Sequence, residues 1–191
     1  MGRDQKAKKN LQPILEASYL NPKQASEKLS SLGYTYDDQL SQPNAKVFVD
    51  KKGRPSIAFR GSHRVEDFLV SDPLLALGLD KYDTRFQKAK RLTKLVEDKY
   101  QSSADVFGHS LGGSVAEKAG GSGNIYTYNK GVGIGDVFKS IPKNQYDVRT
   151  SNDIVSLGGM TQSHLYNNFN EIEKPNQTLL AAHDIKNLSL M

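Results

Sequence analysis

The chain has 191 residues, 26 Lys and Arg against 21 Asp and Glu for a formal net charge of +5, and no cysteine. That length suits one compact domain with a sizeable core, and the lack of cysteine excludes a disulfide framework, a cysteine nucleophile and a cysteine-ligated metal. The excess of base favours contact with anionic surfaces, nucleic acid or membrane, and Arg3, Lys6, Lys8 and Lys9 concentrate part of it in a basic N-terminal segment, about 1–12. The plainer reading of that segment is a solvated tail. Its sequence, "MGRDQKAKKN", is too polar for a signal peptide, and no apolar run approaches the ~18 residues of a membrane span, so a soluble, cytoplasmic chain is expected. Gly2 invites N-myristoylation, but Lys6 stands where that motif needs Ser or Thr.

In chain order, Asn21-Pro22 supplies an N-cap followed by proline at the first helical position. Ala25, Leu29 and Leu32 then recur at helical spacing, and Gly33 sits where the helix should stop. Next, "AKVFVD" and "PSIAFR" are β-rich runs joined by the short glycine-containing "KKGR", which predicts a hairpin. The stretch "DTRFQKAKRLTKLVEDKY" lines up Phe86, Ala89, Leu92, Val96 and Tyr100 on one helical face. Lys88, Lys90, Arg91, Lys94 and Glu97 lie elsewhere and read as a solvated face. A short strand follows at 104–107, with Asp105 its one discordant residue, and then a helix through "SVAEKA". "NIYTYN" and "YDVRTS" are two further strands between glycine- and proline-containing loops. Strands alternating with helices predict an α/β fold, a central mostly parallel sheet flanked by helices with an antiparallel N-terminal hairpin.

The segment between the strand at 104–107 and the helix after it reads "GHSLGG". A G-x-S-x-G pattern arises by chance often enough to prove little alone, but strand before and helix after are what a nucleophile elbow requires. There the serine takes a strained conformation that pushes its hydroxyl out of the turn, so side chains at Gly108 and Gly112 would collide with the neighbouring strand and helix. The N–H of Leu111, at the start of the helix, is placed to hold an oxyanion.

A serine hydroxyl is a weak nucleophile at neutral pH, so Ser110 needs a histidine base, and the base needs an acid to fix its tautomer. Downstream, Asp136, Asp147 and Asp153 are candidate acids and His164 and His183 candidate bases. Asp153 in "SNDIV" is preferred because it falls just past a strand end, where catalytic groups gather; Asp147 sits inside that strand and Asp136 in a glycine-rich loop. His183 in "LLAAHDIKNL" is preferred because two alanines precede it and it lies near the C-terminus, as the third member should; His164 follows Asp153 too closely for a further element. A second oxyanion donor comes from "IAFRGS", where a strand runs into Gly61 and the N–H and hydroxyl of Ser62 can face the serine.

Together, "IAFRGS", "EDFLVSD" with Phe68 and Asp72, "FGHSLGGSVA", "VRTSNDIVSL" and "AAHDIKNL" resemble the class three (fungal-type) lipases of the α/β-hydrolase superfamily, over about residues 47–188. The resemblance implies Ser110 as nucleophile, Asp153 as acid, His183 as base, Ser62 and Leu111 as oxyanion donors, and hydrolysis of acylglycerol or phospholipid esters with no cofactor and no metal. Three features depart from it: the chain is short, "YTYNKGVG" lacks the Gly-x-Pro-Arg that usually follows the strand after the elbow, and the loop "HRVEDF" is charged where lids are usually apolar. An open site under 63–68 or an apolar cover at 73–79, with Leu74, Leu75, Leu77 and Leu79, are the two lid readings. The expectation is therefore a serine ester hydrolase acting on a lipid or ester substrate, with an anionic membrane surface as a possible partner and no nucleic acid, since no aromatic-basic nucleic-acid motif is present. The competing expectation is a hydrolase-fold binding or assembly module that has kept the elbow without the chemistry.

Overall fold

The computed structural model describes residues 2–62, 83–131, 141–151, 153, 169–172 and 178–190. Both lid candidates, together with Phe68, Asp72, Asp136 and His164, lie outside the described residues. Three helices, α1 (Arg3–Lys9), α2 (Leu11–Ala17) and α3 (Pro22–Ser30), precede the strands β1 (Tyr34–Tyr36), β2 (Ala45–Asp50) and β3 (Pro55–Phe59). Then come α4 (Asp83–Tyr100), β4 (Asp105–His109), α5 (Leu111–Ala119), β5 (Ile125–Tyr128), β6 (Gln145–Thr150), β7 (Phe169–Ile172), α6 (Leu179–Ala182) and a 3-10 turn at Ile185–Leu190.

The seven strands among the described residues lie side by side in sequence order. β1, β2 and β3 pair antiparallel, whereas β3 through β7 pair parallel, so the hairpin borders a parallel centre as the sequence predicts. Alternation along each strand sends neighbours to opposite faces. Val47, Ile57, Val106 and Ile125 pack with Phe86, Leu92 and Val96 of α4 and Val115 of α5. Phe48, Ala58, Phe107 and Tyr126 pack on the other face, against α1, α2 and α3. The C-terminal ends of β3, β4 and β6 therefore open onto one edge, where open α/β sheets gather their ligand-binding loops.

Predicted helix ends hold closely. The Asn21 side chain accepts from the Gln24 N–H at 3.0 Å, and Gly33 has φ +78° just beyond α3. α5 begins at Leu111, earlier than "SVAEKA" suggested, because the glycines of the elbow already belong to the helix. Asp105, discordant in an apolar strand, is buried and accepts from the Asn124 N–H at 3.0 Å. Glu97 is not part of a solvated face: its Oε1 accepts from the N–H groups of Ala104 and Ser122 and from the Ser122 hydroxyl, tying α4 to the loops around β4.

The N-terminal residues are helical and packed. Ala7, Leu11, Ile14 and Leu15 are buried, and full burial of each larger side chain is worth about 1.5–3 kcal/mol. Two of the basic groups are engaged with the domain: Lys6 lies 3.6 Å from Asp50 and over the Tyr34 ring, and Lys8 lies over the Tyr146 ring. Among the described residues no helix is long and apolar enough to cross a membrane.

Candidate active site

The elbow is made by backbone crowding. A side chain on Gly108 would run into the backbone of Gly112 and Gly113, and one on Gly112 into the Phe59 carbonyl of β3. Strand, turn and helix can approach this closely only because both positions lack a Cβ. Between them Ser110 sits at φ 58°, ψ −130°, a conformation costing a non-glycine residue of order 1–3 kcal/mol. Its backbone is held by Ser110 N–H donating to the Tyr128 carbonyl at 3.1 Å, while its own carbonyl accepts from Gly113 and Gly131. As the first residue of α5, Leu111 has no intrahelical acceptor for its N–H.

The preferred acid and base meet. His183 Nδ1 and Asp153 Oδ1 are 2.7 Å apart, with both side chains buried. A carboxylate at Nδ1 holds the proton there and leaves Nε2 as the basic nitrogen. That Nε2 is buried and has no hydrogen-bond partner among the described residues. Most buried polar atoms are paired, so this orphan stands out, on a ring whose centroid lies 4.8 Å from that of His109 in the elbow. Asp147 is occupied differently: Thr127, Gln145 and Lys130 all donate to its carboxylate within the sheet.

The segment carrying His183 is anchored by its carbonyls. α6 ends at Ala182, and the last carbonyls of a helix have no intrahelical partner. Here side chains satisfy four in succession: Asn187 donates to Ala181 at 2.8 Å, Asn129 to Ala182 at 3.0 Å, His109 Nε2 lies 3.0 Å from the His183 oxygen, and the Tyr128 hydroxyl donates to Asp184 at 3.3 Å. His109 and Tyr128 are the last residues of β4 and β5, and Asn129 directly follows β5. Burial pushes the Tyr128 hydroxyl up to about 12, so it keeps the proton it donates.

The loop after β3 lies directly against the elbow. A Cβ on Gly61 would stand 2.8 Å from both the His109 carbonyl oxygen and the Tyr19 hydroxyl, and 3.0 Å from the Ser110 Cβ. Ser62 follows at once, half-buried. Where the sequence departs from Gly-x-Pro-Arg, Lys130 is buried beside α5, its ammonium 2.5 Å from Glu117 and 3.4 Å from Asp147. Burial works against that charge, and the two carboxylates outweigh it and hold the lysine above its ordinary pKa. Tyr19, His109, Tyr128 and Asn129 were not foreseen. For His109 the signal was its place inside "GHSLGG"; for the other three the sequence carries no motif.

By sequence, no family model and no curated protein matches the chain. In three dimensions it is similar to a mutant form of MDLA from Penicillium cyclopium, at 20% identity and TM-score 0.51, over 92% of this chain and 81% of that one. It is also similar to Lip2 lipase from Yarrowia lipolytica, at 13% identity and TM-score 0.53, over 95% and 84% of the two chains. Against the Rhizomucor miehei lipase in its propeptide complex the values are 14% and 0.55, over 98% and 78%. The chain has the α/β-hydrolase fold of fungal-type lipases.

Proposed function

We propose that the protein is a serine ester hydrolase, a lipase or phospholipase that cleaves acyl esters of lipids through Ser110, His183 and Asp153, with no cofactor or metal. The observation that carries this reading is the buried Nε2 of His183, unpartnered among the described residues, with its other nitrogen held by Asp153 at 2.7 Å and its ring 4.8 Å from that of His109, the residue before the strained Ser110. In the first half-reaction Ser110 Oγ attacks the ester carbonyl carbon while His183 Nε2 takes the hydroxyl proton. The N–H groups of Ser62 and Leu111 hold the resulting oxyanion. Collapse breaks the ester C–O bond, and His183 returns the proton to the departing alcohol. Water then attacks the acyl-serine, gives its proton to His183, and the released acid leaves Ser110 to recover its hydrogen. The net charge of +5 supports an anionic lipid surface as the place of action, through an attraction screened over roughly 8 Å at physiological ionic strength.

The test is covalent labelling with a fluorophosphonate, followed by a panel of short-chain esters, triacylglycerols and phospholipids. Ser110 should be labelled, and Ser110→Ala should lower kcat by roughly 10³-fold or more with folding intact. Near-normal turnover by the folded variant ends the reading. An unlabelled, inert but folded wild type would favour the binding-module alternative.

A further inference from the structure

Tyr19 comes from the turn after α2, far in sequence from the elbow, yet its hydroxyl lies 2.8 Å from His109 Nδ1 and accepts the Gly61 N–H at 3.0 Å. The other nitrogen of His109 faces the His183 carbonyl at 3.0 Å. The direction of every proton in this chain follows from the chemistry. A carbonyl only accepts, so His109 Nε2 carries the hydrogen; the neutral ring then has a bare Nδ1, which takes the hydrogen of Tyr19; and the Tyr19 oxygen is left to receive Gly61. Burial keeps both members in those states, pushing the Tyr19 hydroxyl up to about 12 and His109 down to about 3, the latter helped by the neighbouring His183. The imidazole is further fixed by stacking on Tyr128, ring centroids 5.6 Å apart, and by the His183 ring at 4.8 Å.

We infer that Tyr19 and His109 are positioning residues for hydrolysis at Ser110: they join the backbone of the oxyanion loop at Gly61 to the backbone of the base segment at His183 by one directional hydrogen-bond chain through the elbow. The inference rests on the proposed function above. The peptide that places the Ser62 N–H is anchored at one end of this chain and the residue that supplies Nε2 at the other, so one structural element sets the spacing between the groups that stabilise the oxyanion and move the proton. Those interactions are realised in the transition state, and misplacement by an ångström can cost on the order of 100-fold in rate. The N-terminal helices are thereby part of the active-site apparatus, because α2 delivers Tyr19.

The experiment measures kcat and KM separately on a chromogenic short-chain ester for wild type, Tyr19→Phe, His109→Gln and His109→Leu, with melting temperature as control and nitrogen NMR of the histidine rings as a readout independent of turnover. Tyr19→Phe keeps the ring and removes the hydroxyl; kcat should fall about 10- to 100-fold with KM within about twofold. His109→Gln, whose amide can still donate on one side and accept on the other, should retain more activity than His109→Leu. Combining Tyr19→Phe with His109→Leu should cost less than the product of the two separate losses, because both break one chain. In wild type the His109 ring should show a protonated Nε2 and a bare Nδ1 at neutral pH, with the Nδ1 signal moving in Tyr19→Phe. A folded Tyr19→Phe with wild-type kcat, or a His109 ring protonated at Nδ1, overturns the inference. Should Tyr19→Phe fail to fold, the ring spectrum of wild type and the Gln-against-Leu comparison still decide it. Failure of Ser110 to react with the fluorophosphonate sinks the hydrolase reading instead, and the NMR result is unaffected by it.

Discussion

The elbow and the segment that carries His183 come together by opposite means. Residues 105–119 shape themselves: glycines at 108 and 112 let strand and helix touch, and Ser110 takes its strained geometry from contacts within the same strand–turn–helix unit and the strands beside it. Residues 178–190 have no such internal logic. α6 is a four-residue helix, too short to be stable by itself, and His183 is held by partners 30 and 74 residues away in sequence, its ring by Asp153 and its carbonyl by His109. Strain can be written into a few adjacent residues, whereas aim across a sheet edge must be borrowed from the assembled fold.

Four substitutions would sharpen that contrast. The largest effect is expected at Asp153. Asp153→Asn keeps the shape but lets the His183 tautomer reverse, so kcat should drop about 10³- to 10⁴-fold with a modest change in Tm. Asp147→Asn should do the opposite. It weakens the buried group of Lys130, Gln145 and Thr127, lowering Tm while activity of the folded fraction persists. Equal activity losses in the two variants would show that the two carboxylates had been wrongly distinguished.

Asn129→Ala comes next. Its side chain donates to the Ala182 carbonyl and accepts the Thr150 N–H at 2.8 Å, and its φ of 44° suits Asn better than Ala. Loss of these bonds should cost about 1–3 kcal/mol, read as a shift in the urea midpoint. Faster hydrogen exchange should appear at 178–190 and not in α5. Uniform acceleration in both regions would mean that the base segment is not separately anchored.

The smallest effect is a pH dependence of stability that starts from the elbow side. The folded value for His109, about 3, lies below the ordinary ~6.5 of an exposed histidine. Between those values the unfolded chain binds a proton that the folded chain refuses, so stability falls as pH falls from about 6.5 toward 3. His109→Gln lacks that term. The urea midpoint of wild type should therefore decline more steeply than that of His109→Gln between pH 7.5 and 5; parallel declines would remove the buried neutral histidine from the account.

Much of the architecture was open to direct reading. Amphipathic periodicity located α4, Asn-Pro and glycine bounded α3, and alternating apolar runs around "KKGR" located the hairpin, because each signal arises from neighbours within one or two turns of chain. β1 and β7 escaped notice. β1 is "YTY" with a mixed burial pattern, and the four residues "FNEI" of β7 carry a polar pair, so neither is a strand until an existing edge accepts its backbone hydrogen bonds.

At the site, "GHSLGG" between a strand and a helix was enough to point to the elbow, because the serine and its two flanking glycines are neighbours in sequence, although Phe59 and Tyr128 of the adjacent strands complete its geometry. Chain order and strand ends narrowed the acid and base to Asp153 and His183 but said nothing of what holds them. Only the tertiary structure decided that Tyr19 reaches His109, that Asn129 and Tyr128 hold the base segment by its carbonyls, and that a basic N-terminus folds into the core. Those roles depend on where a hydroxyl or amide ends up when distant segments pack, and no local pattern of residues encodes that distance.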